Sequence, residues 1–265
     1  MKRGLWSCIA VVVLAVCPPA WSDDAPATQP STSPAVADVG KFPGIEIDIR
    51  KKQIRVECEA LNVTMPLEFF CVINGGPEHE TVLRTAAKPS GIHFGLLAMG
   101  LTPGEPAHYI PATDTWFAPY GPALKISCEF DADGKTVVVP ANRMMRSVKT
   151  KKEMPALNWV FDGSRVLPDG QYAADLTGYV VSIVNFDLTM IDVPELASNS
   201  NETLEWEYNP QVCPKKGTKV TMIIEPTGEA TTQPAGRRLQ HFNAGPGLNG
   251  GGAASTAPST APVAP

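Results

Sequence analysis

The sequence predicts an α+β fold, a single domain on a largely antiparallel β-sheet with a few short helices. Three observations carry this. Strict alternation opens the folding region, with Ile45, Ile47 and Ile49 on one face and Glu46 and Asp48 on the other. Strand patterns outnumber helix patterns and are not regularly interleaved with them, unlike a parallel α/β sheet. The 265 residues, 43% hydrophobic and 18% charged, suffice for one real core.

The first 22 residues have the form of an export signal. Lys2 and Arg3 form its basic end, residues 5–16 its short apolar stretch, and Ala20-Trp21-Ser22 a small-x-small cleavage pattern. The expected destination is the periplasm or the exterior. A lipid anchor at Cys17 is the lesser alternative, because Val16 is larger than lipoprotein signals place there. Residues 23–40, rich in Pro, Ala, Ser and Thr, predict a disordered tether, and residues 227–265 a disordered tail. The folding unit is therefore residues 41–226. Formal net charge is -5, which excludes a general pull toward nucleic acid or an anionic membrane. No apolar run in the mature chain is long enough to span a bilayer.

Within the unit, "IEIDI", the turn "RKKQ" and "IRVECEA" predict a first hairpin, and "LEFFCVI" a third strand. If "ALNVTMP" is a symmetric connection, Cys58 lies opposite Cys71. That predicts a cross-strand disulfide, with two buried thiols as the alternative. "PSGIHFGLLAMG" predicts a helix with Ser90 as its cap and Gly100 as its end. "LKISCEF", "DADGK" and "TVVVP" form a second hairpin. "ANRMMRSV" predicts a short helix and "GYVVSIV" a central strand. "ETLEWEY" and "KVTMIIE" supply the closing strands.

The combination "PLEFFCVINGGPEHETVL" and "KPSGIHFGLLAMGLTPGEP" resembles the YdjY-like domain of exported bacterial proteins. "NWVFDGSRV" and "VSIVNFDLTMIDVPELASNSNETLEWE" resemble its second half. The resemblance runs from about Ile45 to Ile224. It implies a domain and an exported setting, and no reaction.

Two histidines invite a chemical reading. His79 lies between Glu78 and Glu80, after a Gly-Gly-Pro turn, and His93 lies in the first turn of the helix. If helix and turn pack together, His79, Glu80 and His93 offer two nitrogens and one carboxylate to a divalent metal. The alternative is structural: His79 holds the turn and His93 packs the helix. Cys58, Cys71, Cys128 and Cys213 lack the tight spacing of a zinc knuckle or an iron–sulfur cluster. A Gly-x-Ser-x-Gly elbow and a phosphate-binding glycine loop are both missing. These patterns predict an exported binding or interaction module, its partner a ligand or envelope protein, with no cofactor specified. The competing expectation is a metal-dependent hydrolase built on His79, Glu80 and His93.

Overall fold

The computed structural model describes residues 39–200, 202–232 and 235–238. The leader, most of the tether and most of the tail lie outside the described residues. The first strands are β1 (Val39–Phe42), β2 (Ile45–Asp48) and β3 (Gln53–Ala60). Then come β4 (Phe69–Ile73), a 3-10 turn at Glu78–Glu80, β5 (Thr81–Thr85) and helix α1 (Pro89–Ala98). Strands β6 (His108–Ile110) and β7 (Thr115–Phe117) precede the long hairpin of β8 (Pro122–Ala132) and β9 (Lys135–Pro140). Strands β10 (Met145–Ser147) and β11 (Trp159–Phe161) lead to helix α2 (Ala173–Thr177). The chain continues through β12 (Tyr179–Ser182), β13 (Ile191–Asp192), β14 (Trp206–Tyr208), β15 (Lys219–Ala230) and β16 (Arg237–Arg238).

The expected α+β architecture is overturned. The protein is mostly β, 41% strand against 13% helix, and eight strands close into a barrel. The circuit runs β3-β15-β8-β11-β13-β12-β4-β5, and β5 pairs back onto β3. Closure happens because one edge of β3 serves two partners. Residues Gln53 to Val56 pair with β2, and Cys58 to Ala60 pair with β5. Alternation along β3 reveals which face is buried and cannot reveal which strand lies beside it. Two steps of the circuit, β12–β13 and β4–β5, are parallel.

The predicted pairing of β3 with the "LEFFCVI" strand also fails. The connecting segment holds Asn62 in a left-handed conformation (φ 53°) and carries Pro66, and it does not fold as a tight turn. Strand β4 lands between β5 and β12. Cys58 therefore faces Thr85, and Cys71 faces Leu83. The four cysteines from Cys58 to Cys213 are free thiols. Burial, and next the adjacent Cys58 thiol, raise the Cys71 pKa well above its usual value, which leaves it unreactive.

Other expectations shift locally. The predicted helix at "ANRMMRSV" is a 3-10 turn, Ala141–Met144, running into β10. "ETLEWEY" contributes only β14, which pairs with β10 outside the barrel. Strand β15 continues past Pro226 to Ala230, and β16 pairs with β7, so ordered structure reaches into the segment assigned to the tail. The β8–β9 hairpin forms as predicted, on a two-residue Asp133-Gly134 turn with positive φ at both positions.

Ile54, Val56 and Cys58 of β3 align through Ile224, Met222 and Val220 of β15 with Ile126 and Cys128 of β8. These rows join Leu83, Cys71, Trp159 and Phe161 in one buried cluster. Trp159 and Phe161 are almost fully buried, and large apolar side chains so placed contribute roughly 1.5–3 kcal/mol each. Helix α1 packs against β2, β3 and α2.

Candidate functional site

Helix α1 forms because Pro89 suits its first turn and Gly100, at φ 86°, ends it. Ser90 is not its cap. The carboxylate of Asp175, on α2, does that work: Oδ1 accepts from Ser90 N at 2.8 Å and Oδ2 from Ser90 Oγ at 2.6 Å. Gly91 and Gly95 let the helix lie close on Ile45, Ile47 and Ile54. Ile92 and Leu96 are buried, while Phe94 and Leu97 stay exposed.

His93 meets the chain leaving β11. That chain turns at Gly163 (φ 89°) and Ser164 (φ 54°), two consecutive left-handed residues. A Cβ at Gly163 would collide with the Pro103 side chain, so glycine is required twice over. Ser164 is held by a 2.6 Å hydrogen bond from its Oγ to Leu188 O.

Tyr172 joins the two segments. Its hydroxyl donates to Gly163 O at 3.0 Å and lies 2.8 Å from His93 Nδ1. A phenol has one proton, and with Gly163 O accepting it, His93 Nδ1 must be the donor to Tyr172 Oη. Burial lowers the His93 pKa, so the ring is neutral near pH 7. Nε2 then carries a lone pair. Phe161 and Tyr172 stand edge-on to the imidazole at 4.9 and 5.3 Å and fix its plane.

A cavity of about 420 Å³ opens here, walled by Phe94, Leu97, Pro103 and Val166. Most of its polar side chains are committed. Ser90 Oγ is bound to Asp175, Ser164 Oγ to Leu188 O, and Arg165 to Asp187, whose carboxylate lies 3.3 Å away. His93 also lines the space, and among the described residues no hydrogen bond engages its Nε2.

The other expected ligands sit elsewhere in the fold. His79 is exposed in the 3-10 turn, its Nε2 3.4 Å from Glu80 Oε1. Glu80 neighbours Glu68, and burial, then that carboxylate, raise Glu68 to about 8. The structure thus brings His79 and Glu80 together and gives His93 different partners. Among the described residues, no three His, Cys, Asp or Glu side chains gather to hold a metal.

Tyr172, Asp175 and Asp162 escaped the sequence reading. An available signal was acid placement: Asp162 and Asp192 each end a buried apolar strand, where a carboxylate is costly. A family model described as YdjY domain matches residues 45–225. No curated protein and no solved structure matches the chain.

Proposed function

We propose, from the premise that the chain belongs to the YdjY domain family, that it is an exported binding module for a small, largely apolar ligand bearing one hydrogen-bond donor. The observation that carries this is the unpartnered Nε2 acceptor of neutral His93 in an apolar cavity of about 420 Å³, within the ordinary range of ligand sites. The hydroxyls beside it donate elsewhere, which favours binding over nucleophilic chemistry. Export rests on the leader pattern of residues 1–22.

The probe pair is decanol and decanoate, equal in carbon count and opposite in what they offer Nε2. Amide shifts of Phe94, Leu97 and Val166 report occupancy by NMR. Decanol should bind at least about tenfold more tightly, since a carboxylate facing a lone pair leaves both unpaired. His93→Phe should erase the preference. Equal binding of the two probes, or a preference that survives in the variant, would defeat the proposal.

A further inference from the structure

Five buried side-chain atoms among the described residues have no hydrogen-bond partner: Asp162 Oδ1 and Oδ2, Asp187 Oδ1, Asp192 Oδ2 and Asn199 Oδ1. All five are oxygens. A buried region with leftover acceptors and no leftover donor calls for a positive partner. Asp187 already has the Arg165 guanidinium, whereas Asp162 and Asp192 have no cationic partner among the described residues.

The β11–β13 ladder places these two together. Val160 pairs with Asp192, and Gly163 N donates to Met190 O one step further along. Asp162 follows two residues after Val160, the residue opposite Asp192, and the Gly163-to-Met190 bond marks a one-residue irregularity there. Asp162 and Asp192 are 1% and 0% exposed. The described residues show no hydrogen bond between the two carboxylates. Asn185 Nδ2 at 3.0 Å and Val193 N at 2.7 Å both hold Asp192 Oδ1, which orients Oδ2 as the free oxygen.

We propose that Asp162, through both oxygens, and Asp192, through Oδ2, form a buried site for a calcium ion. The two negative charges balance one divalent cation. The donors are hard oxygens, with no imidazole or thiolate to favour zinc or copper. Calcium accepts further carbonyl and side-chain oxygens at variable geometry, whereas magnesium keeps waters that this burial denies. The ion would tie β11 to β13 directly behind the Gly163 turn, whose carbonyl holds Tyr172. The proposal stands independently of what fills the His93 cavity.

The test uses the full chain stripped with a chelating resin. Millimolar calcium should raise its melting temperature clearly more than millimolar magnesium does. Terbium, a calcium substitute, should give luminescence on tyrosine excitation, and calcium should quench it by displacement. Asp162→Asn and Asp192→Asn should each abolish both effects. If neither variant folds, equilibrium dialysis of the unaltered chain decides, with one calcium bound per chain expected. No calcium shift and no terbium signal in the unaltered chain, or equal shifts with both cations, would overturn the site, as would a signal that persists in Asp162→Asn.

Discussion

Helix α1 carries His93 between two glycines whose surroundings differ, and alanine should cost stability at one and little at the other. A Cβ at Gly95 would lie 2.8 Å from Ile54 Cδ1 and 3.0 and 3.1 Å from Ile47 Cδ1 and Cγ1. Ile47 and Ile54 are 2% and 0% exposed, so neither has anywhere to go. Gaining helix propensity is worth up to roughly 1 kcal/mol, while overpacking of this kind costs roughly 1–3 kcal/mol. Gly95→Ala should therefore lose roughly 1 kcal/mol, and up to about 2. At Gly91 the Cβ would meet a single atom, the flexible Ile45 Cδ1 tip, at 2.7 Å. Gly91→Ala should fall within about 0.5 kcal/mol of the parent. Urea denaturation followed by tryptophan fluorescence measures both, provided the m-values agree. The Gly95 variant should also loosen the 2.8 Å contact between His93 Nδ1 and Tyr172 Oη, because the helix must lift to make room. If Gly95→Ala proves as stable as Gly91→Ala or more so, the close packing of α1 on β2 and β3 is wrong.

Asp175→Ala removes both hydrogen bonds to Ser90 and a negative charge from the N-terminus of α1, and should cost about 1–2 kcal/mol in the same assay; an unchanged midpoint would refute that capping role. Burial, then Glu80, raise Glu68 to about 8, so its protonated form is the one that favours folding. Stability should fall as pH rises from the ordinary carboxylate range to about 8, then level off. Glu68→Gln should flatten that slope and gain on the order of 1 kcal/mol at the alkaline end, a figure reduced for the partial solvation of Glu68; an identical slope in parent and variant would contradict the raised Glu68 carboxyl.

Local features were legible in the sequence wherever local chemistry decides them. Asp133-Gly134 specifies a two-residue hairpin whatever surrounds it, and Gly100 ends α1 because an α-helix that stops in the left-handed region favours glycine. Barrel closure was not legible, because pairing Cys58 with Thr85 is a choice of neighbour that alternation does not encode. The same blindness misplaced Cys71 and with it the cross-strand disulfide. His93 was singled out from the sequence, and its partner was not. Tyr172 lies 79 residues away in a segment with no periodic signal. Asp162 and Asp192 left only a faint mark in the sequence, an acid closing an apolar run, and complete burial is what makes them unusual.

The chemistry assigned to the cavity depends on which nitrogen of His93 bears the proton. Long-range nitrogen–proton NMR correlations read this directly at neutral pH. A neutral ring protonated at Nδ1, with Nε2 bare, is the predicted result, and Tyr172→Phe should weaken that preference. A ring protonated at Nε2, or an imidazolium at neutral pH, would contradict the hydrogen-bond order through Tyr172 and remove the acceptor on which ligand binding is proposed to rest.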